Sequence, residues 1–240
     1  MKGFNVQDFL DALCNTFLLA GAWNTAWLTA AGLVGGFSLG LLVAVLRSAS
    51  SAAPQRIART YIWFFRGTPL LIQMVMIYSG LPQIGIKFGV LGSVLVALIA
   101  NEAAYMAEII RGGFLAVPVG QSDAAKALGL SRAQAFAKVL LPQATRIILP
   151  AIGNSVNGLL KATSIASVIS MEELMRRSEM VMQVKFDVLE VFAAAAVDYL
   201  VLTTLWDYVQ RWLERRFDAP NRERKAIALT PAVEQAVQTR

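Results

Sequence analysis

The chain has 240 residues, of which 56% are hydrophobic and 16% charged, with a formal net charge of +6 and a mean hydropathy of +0.55. Soluble domains carry about a quarter charged residues, so the balance excludes an ordinary soluble domain and points to a single-domain, all-α integral membrane protein. With no histidine and one cysteine, Cys14, imidazole catalysis, a Cys/His metal site and an internal disulfide are all excluded for the chain alone.

Residues 1–22 read as an amphipathic segment. Lys2 is followed by Asp8 and Asp11 with no small-residue cleavage pattern, so no cleavable leader is expected. Phe4, Phe9, Leu10, Leu13 and Phe17 recur at roughly helical spacing, which predicts a helix lying at the membrane surface. Cys14 reads as a small apolar residue.

A helix needs about 20 apolar residues to cross a bilayer, and five segments qualify: Trp23–Leu46, Tyr61–Leu81, Val90–Ile110, Ile147–Ile169 and Val188–Tyr208. The first carries Gly32, Gly35, Gly36 and Gly40, spaced for close helix packing. The second carries Arg66, Pro69 and Gln73, tolerable where neighbours satisfy the freed backbone groups. In the fourth, Pro150 to Gly153 predicts a loosened stretch.

The basic residues flank these spans, which is a topology signal rather than a nucleic-acid footprint. Arg47, Arg56 and Arg59 follow the first span, and Arg111, Lys126, Arg132, Lys138 and Arg146 face Asp123 alone after the third. Arg211, Arg215 and Arg216 begin a further basic cluster after the fifth. The positive-inside rule then puts the N-terminus outside and the C-terminus in the cytoplasm. Residues 218–240 read as a mobile cytoplasmic tail.

Charged groups inside a span are costly and belong in the bundle interior, a cavity or a partner contact. Glu102 and Glu108 lie in the third span, Lys161 in the fourth, and Glu190, Asp198 and Asp207 along the fifth. Asn154, Asn157 and Lys161 share one stripe at three- and four-residue spacing. That stripe reads either as a translocation path or as an interhelical polar clamp, and Glu102, beside Asn101 and Tyr105, divides the same way. Glu190 and Asp207 lie near enough to the span ends to be merely solvated.

The stretch from Gly120 to Pro142 is polar and helix-prone between apolar spans. Ser122 is placed to cap a helix with Asp123 in its first turn, and Gly129 suits its stop. Ser131 and Gln134 make a capping box for a second helix, which Pro142 turns toward the next span. Ala124, Ala125 and Gly129 offer a small-residue contact face. From these residues alone the hairpin either lies on the membrane or is held by a soluble protein.

Asp123-Ala124-Ala125, then Gly129, Val139 and Leu141-Pro142, resembles the EAA signature of permease subunits in ABC importers, with Asp for the usual Glu and Val for the usual Ile. Phe65–Gln73 looks like the RGTPL-x-x-Q segment of the polar amino acid branch, and Ala104–Gly113 its AY-x-AE-x-x-RGG segment. Leu141–Ala144 and Lys161–Ile165 resemble its LPQA and KDTSL segments.

The resemblance implies a type I ABC importer transmembrane domain over 23–217, with five transmembrane helices and a coupling helix in the loop 112–145. Asp123, Ala124, Ala125, Lys126, Leu128, Gly129 and Leu130 would dock the ATPase. Glu102, Tyr105, Asn154, Asn157, Lys161, Thr163 and Ser164 would line the substrate path. Implied partners are a cytoplasmic ATPase dimer, an extracytoplasmic solute-binding protein, a second permease subunit, membrane lipid and a polar amino acid, in a bacterial inner membrane; no nucleic acid is implied. ATP and magnesium belong to the ATPase: the chain lacks a G-x-x-x-x-G-K-[ST] pattern and needs no cofactor of its own. Ala162 replaces the acid of the KDTSL segment, which disfavours a strictly cationic substrate. A proton-coupled secondary transporter using Glu102, Glu108 or Asp198 is the alternative, although no internal repeat is visible. An intramembrane enzyme would have to rest on Lys161 and Ser164.

Overall fold

Glycines at three- and four-residue spacing open a seam along α2 (Thr16–Arg47), and α5 (Val90–Leu115) lies in it. A methyl group added at Gly36 would sit 2.7 Å from Glu102 Cβ, and one at Gly40 2.6 Å from Met106 Cβ. Only hydrogen fits there, so the two backbones approach closely and make the most extensive helix contact among the described residues. The computed structural model describes residues 4–238, with side chains described for 4–217. The tail expected to be mobile, 218–240, lies outside the fully described residues.

The N-terminal segment divides differently from the expectation of one surface helix over residues 4–20. Asn5 caps α1 (Val6–Leu13) by accepting from Gln7 N at 2.9 Å, and Asn15 starts α2 well before Trp23. The polar caps at 5 and 15 set these limits, which hydropathy alone does not see. Ala12 packs with Leu18, Leu174, Val191 and Ala194, so α1 is docked on the bundle. Glu190, expected to be solvated, is buried and accepts from Asn5 N at 2.9 Å.

The segment expected as a continuous second span is broken. α3 (Ala52–Gly67) ends before Thr68 and Pro69, both extended, and α4 (Leu70–Val75) resumes after them, continuing through a π turn (Met76–Gly80) and a 3-10 turn (Leu81–Ile84). Proline lacks an N–H and disfavours helix at the preceding residue, so Pro69 ends α3. The carbonyls at the break are recovered by side chains. Gln73 Nε2 donates to Phe65 O at 2.9 Å, Thr68 O at 3.0 Å and Thr68 Oγ1 at 2.8 Å. Asn101 Nδ2 reaches in from α5 to Phe65 O and to Gln73 Oε1, both at 3.1 Å.

The remaining chain runs α6 (Val119–Ala127), α7 (Arg132–Ala135), a π turn (Phe136–Leu140), α8 (Leu141–Ala162), a 3-10 turn (Thr163–Ile169), α9 (Leu174–Lys185) and α10 (Val188–Gln238). Among the described residues, 4 helical stretches are long and apolar enough to cross a membrane: α2, α5, the run from Arg132 to Ile169, and α10 as far as Phe217. Leu70–Ile84 is apolar but shorter. The interior cluster of Leu28, Met74, Val94, Leu98, Leu159 and Ile169 joins α2, α4, α5, α8 and the 3-10 turn that follows α8. Trp23, Trp63 and Trp212 instead face outward, as suits rings meeting lipid.

The loosening expected at Pro150–Gly153 does not occur: α8 is uninterrupted through Pro150. Gly153 leaves room for the Gln210 side chain of α10, and Trp206 Nε1 donates to Gly153 O at 2.9 Å. α10 therefore braces this turn of α8.

Candidate functional site

Two constructions stand apart from the packing: a polar arm between α5 and α8, and a polar groove between α8 and α10. The arm begins at Pro118, which stands at the N-cap position of α6, so that helix starts earlier than the expected Ser122 cap. Ser122 instead lies within the helix. α6 ends in a Schellman motif: Leu130 N donates to Ala125 O at 3.1 Å and Gly129 N to Lys126 O at 2.9 Å, with Gly129 at φ +74°. Glycine is favoured at this left-handed position because it has no Cβ.

The capping box is formed as expected, Ser131 Oγ accepting from Gln134 N and Gln134 Oε1 from Ser131 N. A π turn over Phe136–Leu140 then leads into α8, with Pro142 in that helix's first turn. The arm is fastened at its base by a stacked Phe114–Phe136 pair with centroids 5.5 Å apart, and by Gln143 Nε2 donating to Gln121 Oε1 at 3.1 Å. Beneath it Val117, Ala144 and Ile148 form a small core.

Helical period decides which coupling candidates face out. Ser122 is half-buried and Ala125, on the inner face of α6, is only 2% exposed. It is not the surface contact expected from its place beside Ala124. Asp123, Ala124, Lys126 and Gly129 are exposed, and Leu128 presents 80% of its surface. Leu130 is half-buried. Asp123 and Lys126 pair at 3.2 Å on the open face.

An open groove of about 630 Å³ lies between α8 and α10. Asn157, Lys161 and Ser164 form one wall, and Ala196, Tyr199, Leu200, Thr203 and Asp207 of α10 form the other. Asn157 Nδ2 donates to Asp207 Oδ1 at 3.0 Å and closes one end. Tyr199 OH donates to Glu173 Oε2 at 3.0 Å and fixes the other wall. Lys161 has no ion-pair partner among the described residues.

Asn157, Lys161 and Ser164 are thus brought together, whereas the other path candidates lie elsewhere. Glu102 is buried against Gly36 of α2 and accepts from Ser155 Oγ at 2.6 Å. Tyr105 is partly exposed on α5 with the Arg66 guanidinium 5.4 Å from its ring centroid. Asn154 is exposed outside the groove, and Thr163 is buried, donating to Leu160 O at 2.7 Å. Glu108 pairs with Arg47 at 2.8 Å and Arg111 at 3.0 Å. Asp198 is buried, and its Oδ2 has no hydrogen-bond partner.

Sequence reasoning missed the α10 wall. Tyr199, Thr203 and Asp207 recur every four residues and so share one helix face. That polar stripe in an apolar helix was the available signal.

A helical membrane protein with a polar arm projecting between two long apolar helices has the build of a transporter membrane component. The chain belongs to the family of binding-protein-dependent transport system inner membrane components, whose model matches residues 36–219. It is 36% identical over 201 residues to the glutamine transport system permease protein of Escherichia coli K12, covering 83% of this chain and 92% of that one. It is also 36% identical over 231 residues to the arginine transport system permease protein of Corynebacterium glutamicum, covering 90% and 73%. A chain from the crystal structure of an amino acid ABC transporter with histidines superposes with a TM-score of 0.83 at 34% identity, covering 90% of this chain and all of that one.

Proposed function

We propose that the chain is the permease subunit of an ATP-driven importer of polar amino acids in a bacterial inner membrane. The projecting arm carries this reading. A Schellman stop at Gly129, a capping box at Ser131 and a stacked base at Phe114–Phe136 make it rigid, and its outer face offers Leu128 to a partner. Large exposed apolar side chains on a rigid element, here Leu128 with Val119 on the same helix, fit anchors for another protein. That partner is a cytoplasmic ATPase subunit, with ATP and magnesium bound there. Asp123, Ala124, Lys126, Leu128 and Gly129 supply the contact, while Ala125 and Leu130 hold the arm's shape.

In this reading the N-terminus lies outside and the C-terminus in the cytoplasm. Leu70–Ile84, together with the end of α3, makes the fifth crossing. A solute-binding protein delivers the amino acid from outside and a second permease subunit completes the pathway. ATP-driven closure of the ATPase pair moves the two arms together and turns the pathway outward, and hydrolysis returns it. Of the three carboxylates the proton-coupled alternative names, Glu108 is held by two arginines and Glu102 by Ser155, which leaves only Asp198 without a partner at its Oδ2.

The test is reconstitution into proteoliposomes with the ATPase and the solute-binding protein, followed by uptake of tritiated glutamine. Uptake should require ATP and the ATPase. Uptake driven by a proton gradient without the ATPase would overturn the reading.

A further inference from the structure

We propose that the outward face of α3 is a binding site for an anionic phospholipid, with the Arg56 and Arg59 guanidinium groups taking its phosphate and Trp63 packing along its glycerol and acyl chains. The leaflet, but not the binding, rests on the orientation given above, which places this end of α3 at the cytoplasmic surface.

Three observations carry it. Arg56, Arg59 and Trp63 recur at three- and four-residue spacing and so share one face of α3. The opposite face is buried, with Ala58 and Ile62 packed against Val43, Ala44, Ala107 and Ile110. The outward face is open: both arginines are exposed, and Trp63 presents 74% of its surface. Its charge is also uncompensated. Among the described residues neither arginine has an ion-pair partner, and no Asp or Glu occurs between Asp11 and Glu102. Of the acids on the neighbouring α5, Glu108 is engaged by Arg47 and Arg111, and Glu102 by Ser155.

The polar and apolar parts of this face lie in the order of a lipid. Arg47 and Arg111, joined through Glu108, mark the ends of α2 and α5, and the inner side of α3 packs beside those ends. Trp63 lies four residues beyond Arg59, about 6 Å further along the helix axis, toward the break at Thr68–Pro69. Arginines at the boundary with an indole below them match a headgroup phosphate above its chains. Arg59 is held ready: its Nη2 donates to Gln55 Oε1 at 3.1 Å, and Gln55 Nε2 donates to Ala49 O at 2.6 Å. The remaining donors of the guanidinium fork suit phosphate oxygens taken in pairs. A zwitterionic lipid offers the same phosphate, but its ammonium group would find no carboxylate on this face. The site therefore selects a headgroup of net negative charge.

The experiment reads Trp63 fluorescence in the full chain reconstituted into phosphatidylcholine vesicles, taken as the component that Trp63→Phe removes. Part of the lipid is replaced, at equal mole fraction, by brominated phosphatidylglycerol or brominated phosphatidylcholine, whose bromines quench an indole in contact. Phosphatidylglycerol should hold the site about tenfold more tightly than phosphatidylcholine, as two arginines at a charged headgroup imply, and high salt should weaken the preference. Arg56→Gln combined with Arg59→Gln should erase it, whereas Arg132→Gln, on the arm, should leave it unchanged. No quenching of the Trp63 component by either lipid, or an unchanged preference in the double variant, would overturn the proposal. An equal loss with Arg132→Gln would also overturn it, because the preference would then reflect the overall charge of the chain.

The double variant removes two charges from the topology signal. Should it fail to insert, Arg56→Lys with Arg59→Lys keeps the charge and loses only the paired donors. The preference should then fall about threefold without vanishing, and an unchanged preference would overturn the phosphate contact. Glycerol phosphate added to the solution should not relieve the quenching; relief would make this a site for a soluble phosphate ester. Trp63→Cys in a Cys14→Ser background, needed because Cys14 is exposed, should stay monomeric under oxidation. A disulfide between two copies would make the face a subunit interface. Either result would overturn the lipid assignment. None of these measurements involves ATP-driven uptake, so failure of the importer reading would leave the lipid site standing.

Discussion

Tyr199 of α10 donates to Glu173 Oε2 at 3.0 Å, and the same carboxylate caps α9 by accepting from Met175 N at 2.9 Å and Arg176 N at 2.8 Å. One buried acid therefore joins a wall of the groove to the start of α9. Thr25 of α2 approaches it at 3.5 Å and accepts from Leu174 N at 3.2 Å. The groove and the loop before α9 thus form one mechanical unit.

Burial pushes the Glu173 carboxyl above its ordinary range, against the downward pull of the two backbone N–H groups and Tyr199, while Glu179 pushes it up further. A raised value means that the folded state holds the proton more tightly than the unfolded one. Stability from this group is then fully present below the ordinary carboxylate range and falls as pH rises toward the raised value. Glu173→Gln should flatten that part of the pH profile. The check is Tm of both proteins in nanodiscs from pH 4 to 8: their difference should change with pH in this direction, and a constant offset would refute it.

Tyr199→Phe removes one donor from a buried acceptor that keeps its two backbone partners. It should cost about 1–2 kcal/mol, read as a fall in Tm. The loss should shrink in a Glu173→Gln background, because the two side chains share one bond.

The glycine seam gives a sharper contrast. Gly36→Val would force a side chain against Glu102 Cβ and Cγ, both 2.7 Å from the position of its Cβ. Overpacking of this kind costs about 1–3 kcal/mol. Gly158→Ala in α8 meets nothing within 4 Å and should be neutral or stabilising by up to about 1 kcal/mol. Thermal unfolding of the two variants in nanodiscs distinguishes them.

That seam was legible in the sequence because close packing needs glycine at three- and four-residue spacing, and so were the Gly129 stop and the Ser131–Gln134 box, which are local chemistry. What escaped was set by tertiary partners. Hydropathy reads Tyr61 to Leu81 as one helix, yet the break at Thr68–Pro69 is sustained by Gln73 and by Asn101 from another helix. Ala125 looks like Ala124 in sequence, and only the docking of α6 on its own base hides it. Of the groove, the α8 wall was found and the α10 wall was not. Asp207 near a span end reads as solvated until Asn157 is placed opposite it.

The broken helix makes its own prediction. Gln73 is 4% exposed and satisfies Phe65 O and Thr68 O together. Gln73→Leu leaves Thr68 O without that donor and should cost about 1–3 kcal/mol. Asn101→Ala should cost less alone, since Gln73 still reaches Phe65 O. Both losses should appear in Tm, and the double variant should deviate from additivity because the side chains bond each other at 3.1 Å.

Gly129 tests the arm by backbone conformation rather than by contact. Its φ of +74° costs an L-residue about 1–2 kcal/mol, and nothing lies within 4 Å of an added Cβ, so strain and not collision is what a side chain would introduce. A β-branched residue is worst there, whereas asparagine tolerates the left-handed region. Gly129→Val should therefore unwind the Schellman stop, displace Leu128 and abolish ATP-driven uptake while membrane insertion stays normal. Gly129→Asn should retain most uptake. Gly120→Val, at an open position with ordinary φ, controls for bulk on the same arm. Comparable uptake by Gly129→Val and Gly129→Asn would show that the arm's shape does not matter for coupling.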